Sequence, residues 1–317
     1  MNFSNYHGLS ICGHRDIDFV DIDIGKDVPL YIDPERISLS NHPYATIANQ
    51  HIQDFFFTVF DAAMQHDERK LYHLLSFGRE PNETRFGLSS SRPCGRGSSP
   101  EILHPIINDM LHLRFFEEGL ITELGDLHLW TDNFGPDRLS DLVTNILRGV
   151  LAEYTLEQYH TLSLPMEEDM YQMRISWDMA NHDWYYVDIP LFHCGHSSIL
   201  LVPKAFVGQQ LLSTPGKLLQ KYALTFRQQE HLNMDSVLCH RKELKDGHVR
   251  IDPPTKKELR QKEMVDCSEK QYLRDIGFRN TDMVRKMHSD HSRSRDFDMI
   301  SDERLDNMLY RKFQWAQ

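Results

Sequence analysis

Asp137 and Asp141 stand four residues apart in DNFGPDRLSDLVTNILRGVLAEYT, residues 132–155, directly after a Gly-Pro pair. Carboxylates at positions i and i+4 project from one helix face and can share a divalent cation. Asp33, in LYIDPER, would complete an oxygen-ligand site for Mg²⁺, and Lys204, closing SSILLVPK, would stabilise charge beside it. Such a set suits phosphodiester hydrolysis. Asp33, Asp137, Asp141 and Lys204 are therefore the expected catalytic group, with the three aspartates as metal ligands. Each also has a structural alternative. Carboxylates in a first helical turn gain about 0.3–1 kcal/mol from the helix dipole, and Arg148 lies on the same face. An Asp before a Pro-Glu-Arg turn commonly caps it, and Pro-Lys is an ordinary strand end.

The second chemical feature is the loop TRFGLSSSRPCGRGSSPE, with Arg85, Arg92 and Arg96 shortly before a helix start. Unpaired N–H groups and the positive helix end suit a phosphate there; a solvated arginine loop is the alternative. No Gly-Lys-Ser/Thr follows, so it is not a Walker loop. HCGH at 193–196 is spaced too tightly for one metal ion and reads as a hairpin turn through Gly195. A PD-(D/E)xK nuclease needs Asp/Glu-x-Lys on a hairpin strand, but ERK at 68–70 and ELK at 243–245 fall in no convincing one. No Gly-x-Ser-x-Gly elbow is present.

The elements that must position these residues follow from hydrophobic period. VDIDIGKDVPLYID alternates like two half-buried strands, and KLYHLLSF, LHLWTD, MYQMRISW, DWYYVDIPLF and SSILLVPK are further strand candidates. NQHIQDFFFTVFDAAMQ reads as a helix, as does EILHPIINDMLHLRFFEEG, with Ser99 at its N-cap and Pro100 at its first position. In the opening motif Leu139, Leu142, Val143, Ile146, Leu147, Val150, Leu151 and Tyr154 make one helical stripe. Asp137, Asp141, Thr144 and Arg148 lie opposite. The expected fold is α+β: a mixed sheet of about five to seven strands flanked by helices, in a core domain of residues 1–215. Residues 216–317 form a mostly helical tail.

Composition limits the partners. The net charge is −12 over 317 residues. From Arg241 onward 18 Lys and Arg face 15 Asp and Glu, leaving −15 on the first 240 residues. Non-specific wrapping of duplex nucleic acid needs cations and is disfavoured for such a body; a local basic groove is not. Five scattered cysteines without a CxxC pair argue against a disulfide framework. No apolar run approaches a membrane span and no secretory leader opens the chain, so a cytoplasmic protein is expected.

VPLYIDPERISLS, NETRFGLSSSRPCGRG, FGPDRLSDLVTNILRGVLAEYT and ILLVPKAFV together resemble the successive landmarks of an uncharacterised bacterial family associated with anti-phage defence loci, often beside ATPase genes. The resemblance covers roughly residues 17 to 207, and the C-terminal part here is shorter. It carries no known catalytic residues. It implies a component of an anti-phage or anti-plasmid defence system, read here as a Mg²⁺-dependent nuclease effector whose arginine loop holds the phosphate backbone. The alternative is a non-catalytic subunit that binds and regulates an ATPase or sensor partner.

Overall fold

The stretch from Pro136 to Thr161 is one helix of 26 residues. Gly135 enters it in extended conformation and Pro136 takes the first helical position, where the missing N–H costs nothing and the fixed φ suits the turn. The chain leaves through Ser163, at φ 53°. Its apolar stripe is buried, as the spacing requires. So are Asp141, Thr144, Asn145 and Arg148 on the opposite face. Buried on both faces over most of its length, with Asp137, Glu153, Glu157 and His160 left exposed, the helix is the centre of the fold and not a surface layer.

In the computed structural model, which describes residues 1–78, 81–87, 99–166, 171–190, 192–194, 197–294 and 299–310, helix Ala45–Met64 and the hairpin Tyr171–Asp178/Asp183–Pro190 both pack against this central helix. Two tryptophans face each other in the hairpin register, Trp177 opposite Trp184. Their indole N–H groups donate to Asp54 Oδ2 and to the Leu74 carbonyl, both at 2.7 Å. Phe55 meets both rings edge-on, at 5.0 and 5.4 Å, so the hairpin is held by burial and by satisfied polar handles together.

The fold is α+β, but the expected five-to-seven-strand sheet is replaced, among the described residues, by four two-stranded antiparallel pairs. KLYHLLSF belongs to helix Glu68–Leu74, whose first turn is capped by Asp67 Oδ1 accepting from Lys70 N at 3.0 Å. LHLWTD contributes a helical turn, Leu127–Trp130. VDIDIGKDVPLYID yields only Tyr31–Ile32, paired with Val207–Gly208. Ile199–Val202 is buried in irregular chain: Leu201 N donates to Thr155 Oγ1 and Leu200 N to the Glu83 carbonyl, each at 2.9 Å. These bonds satisfy the backbone without a ladder.

Beyond residue 215 come a π-helical segment Leu218–Ala223, helix Leu224–Asn233, an exposed hairpin His240–Glu243/Val249–Asp252, and helices Lys256–Glu263, Glu269–Gly277, Met283–Arg293 and Asp302–Leu309. Glu243 of the ELK triplet thus closes a hairpin strand after all. This tail packs back onto the body. Gly277 lies against the Trp130 ring and Leu120, where an added Cβ would come within 3.3 Å of both. Arg274 Nε donates to the Trp130 carbonyl at 2.7 Å. Tyr310 donates its hydroxyl to buried Asp21 at 2.8 Å, and Asp306 pairs with His14 at 2.7 Å. No helix among the described residues is long and apolar enough to cross a membrane.

Candidate functional site

Asp33 is buried and occupied. Its Oδ1 accepts from Glu35 N at 3.0 Å, capping helix Pro34–Leu39, and its Oδ2 accepts from Leu212 N at 2.7 Å. Burial, then the Glu35 carboxylate, push its pKa up to about 6 against the pull of Arg36. Asp137 is exposed, in the first turn of the central helix. Asp141 is buried one turn on. Arg148 reaches past it to the Ile175 carbonyl (2.7 Å) and Asn145 Oδ1 (2.6 Å). Lys204 is tied to the His14 carbonyl and to Asp302 Oδ1, the latter at 2.7 Å, so it anchors the tail.

Among the described residues, the His and carboxylate side chains whose ligand atoms all lie within 4.8 Å of one another are Glu123, Asp126 and His288. The expected set of Asp33, Asp137 and Asp141 is not among the groups so gathered; both Asp33 oxygens accept backbone N–H donors. Of the expected anion contacts, Arg85 is placed in a cleft described below, while Arg92 and Arg96 lie outside the described residues. His193–Cys194 pairs with Ser197–Ser198; Gly195 and His196 are likewise outside.

The gathered cluster is built by three separate segments. Glu123 precedes a 3₁₀ turn, Leu124–Asp126, and closes a capping box in which its side chain accepts from Asp126 N while Asp126 Oδ2 accepts from Glu123 N. The same Asp126 oxygen takes Thr122 N (2.8 Å) and Thr122 Oγ1 (2.9 Å). Asp126 Oδ1 is left to His288 Nε2, at 2.8 Å, and Asp126 is fully buried. His288 and His291 lie one turn apart on helix Met283–Arg293, and each brings Nδ1 to within 2.8 Å of Glu35 Oε1. Ser213 Oγ donates to the other Glu35 oxygen at 2.5 Å. Glu123 Oε1 sits 3.8 Å from His288 Nε2 and has no hydrogen-bond partner among the described residues.

The electrostatics follow from this crowding. Burial opposes the Glu35 charge, but the bonds from His288 and His291 outweigh it and hold the carboxyl well below its usual range. For His288, burial favours the neutral ring, and the bonds to Asp126 and Glu35 overcome it, raising the imidazole to about 11. Glu123 moves upward through burial and the adjacent Asp126. Sequence reasoning singled out none of Glu35, Glu123, Asp126, His288 or His291. A signal existed in MHSDH, which puts two imidazoles on one helix face, but their acidic partners lie 162 and 253 residues away.

A separate cleft of about 490 Å³ is lined in part by Arg85, Arg148, Arg174, Glu83, Phe77 and Tyr186. Arg174 Nε donates to Glu83 Oε1 at 2.9 Å, and Arg148 faces the other Glu83 oxygen at 3.8 Å. Three guanidinium groups against one carboxylate make this a positive patch on a strongly acidic chain. Arg148 is only 5% exposed, its charge is disfavoured by burial and supported by Glu83, and its Nε has no hydrogen-bond partner among the described residues. A buried guanidinium with a spare donor, beside aromatic faces, is suited to a planar or phosphate-bearing anion.

Residues 8–214 match the family model described as Domain of unknown function (DUF8370). No curated protein and no solved structure matches the chain.

Proposed function

The chain belongs to the DUF8370 family, and we propose that it binds a phosphate-bearing ligand, a nucleotide or a nucleic-acid strand, in the arginine cleft. The observation that carries this reading is the buried, incompletely bonded Arg148 beside Arg85 and Arg174 in a cleft that also offers Phe77 and Tyr186 for stacking. In the setting implied by the sequence resemblance, the ligand is nucleic acid of a phage or plasmid and the chain is a defence component. Hydrolysis of that ligand with Mg²⁺ is the finer form of the proposal, with Asp137 and Asp141 as its remaining acidic candidates.

Fluorescence polarisation with labelled single-stranded DNA and RNA, and calorimetry with ATP, test the proposal. Arg174→Ala should weaken binding about tenfold or more, the loss of one charge-assisted contact, and binding should fall steeply with salt. Equal affinity in wild type and Arg174→Ala, or no binding at low salt, overturns it. Incubation with plasmid and RNA in Mg²⁺, Mn²⁺ or EDTA, with Asp141→Asn as control, reads hydrolysis.

One observation favours the second reading, a subunit for a protein partner of ATPase or sensor type. The hairpin at 240–252 exposes Val249, Ile251 and Leu244, and Met234 and Val237, shortly before it in sequence, are exposed too, the last at 96%. Open strand edges carrying apolar side chains are a ready surface for another chain. In that reading a pull-down with the neighbouring gene product fails on Val249→Lys/Ile251→Lys.

A further inference from the structure

We infer that Glu123, Asp126 and His288 form a site for one divalent transition-metal ion of the Zn²⁺ or Mn²⁺ class, which fastens helix Met283–Arg293 to the body of the protein. In each of the three side chains one polar atom is fixed by the protein and the other is turned to a common point. Asp126 spends Oδ2 on three donors and offers Oδ1. Glu123 spends one oxygen on its capping box and leaves Oε1 without a partner. His288 directs Nδ1 to Glu35 Oε1 and presents Nε2 to the two carboxylates. That last arrangement is how metal-bound imidazoles are commonly held: a carboxylate on the far nitrogen sets the tautomer and the ring plane.

The distances suit a shared ion. Bonds of about 2.0–2.2 Å in tetrahedral array put neighbouring donors about 3.4 Å apart, and the observed separations from His288 Nε2 are 2.8 and 3.8 Å. Charge points the same way. Glu35, Glu123 and Asp126 all face His288, and a divalent ion would take the place of the imidazole proton between the carboxyl groups of Asp126 and Glu123. An imidazole among the donors selects a borderline transition ion over Mg²⁺, which prefers oxygen ligands throughout. Three protein ligands leave a further coordination position to water.

The test uses the full chain, stripped by chelator dialysis and titrated by calorimetry with Zn²⁺, Mn²⁺ and Mg²⁺ in separate runs. One equivalent of Zn²⁺ or Mn²⁺ should bind with a Kd of about 1 μM or tighter. Glu123→Gln, which keeps the capping oxygen, and Asp126→Asn should each weaken it by tenfold or more, with circular dichroism reporting that the fold is retained. Glu35→Gln should weaken affinity about 10–100-fold at unchanged stoichiometry, as a positioning residue does, and His248→Gln in the exposed hairpin should change nothing. Hydrogen exchange across residues 283–293 should slow when metal is added. No saturable binding below about 100 μM, affinity indifferent to Glu123→Gln and Asp126→Asn in folded protein, or Mg²⁺ binding as tightly as Zn²⁺ would overturn the inference.

Discussion

Glu35 and Asp33 sit two residues apart on the same turn, and their roles diverge because of what each oxygen meets. The sequence drew attention to Asp33, whose position before Pro34 also fits a cap, and the cap is what the structure builds. Glu35 was invisible as a functional residue because its partners, His288 and His291, come from the far end of the chain. Spacing along one helix can be read from a string of letters; convergence of remote segments cannot. Gly277 makes the same point for packing. Its place near a helix end looks like simple helix punctuation, yet the Trp130 ring and Leu120 leave no room for a branched side chain. Gly277→Val should therefore cost about 1–3 kcal/mol by overpacking, seen as a lower thermal midpoint with the Trp130 fluorescence shifted toward the solvent-exposed value.

Among elements, the central helix was legible in its Gly-Pro start and in its 3.6-residue stripe, which reaches Tyr154, while the helix itself runs on to Thr161. The hairpin at 171–190 was legible too, from aromatic and β-branched residues around a tight turn. KLYHLLSF and LHLWTD were not, since short apolar runs carry no decisive period and an N-terminal cap, Asp67, decided the first. In the tail, the Lys256–Glu263 helix is fixed by Glu263. Burial works against this carboxylate, but bonds from Arg227, Tyr272 and His231 more than compensate and bring its pKa to about 2. A folded pKa below the unfolded value means the stabilisation is complete above about pH 4.5 and drains away as pH falls toward 2. Glu263→Gln should be less stable than wild type by about 1–3 kcal/mol at pH 7, and the gap in urea midpoints should close between pH 5 and 2. A gap that stays constant over that range would show that the network carries no charge-dependent stability.

On the scale of the whole molecule, the family match spans residues 8–214 while the packing does not stop there. Trp130 is covered by Gly277 and Arg274, Phe115 by Phe278, and Asp126 and Glu35 face His288. Residues 1–214 expressed alone should therefore expose apolar surface and strand charge that the tail now neutralises. The expected outcome is a fragment that binds a hydrophobic dye and unfolds without a sharp transition, where the full chain does neither. A fragment with a cooperative melt and no dye binding would show that the body is self-sufficient.

The bond from Tyr310 to Asp21 joins positions 289 residues apart, and it sets an order of events during translation. Asp21, with its ring of donors from Asn2 and Ser4, leaves the ribosome 289 residues before Tyr310 and must wait for that stretch to emerge before this donor arrives. Until then the nascent polypeptide holds an unfinished interior open to solvent, the condition under which partly built proteins recruit chaperones or stick to one another.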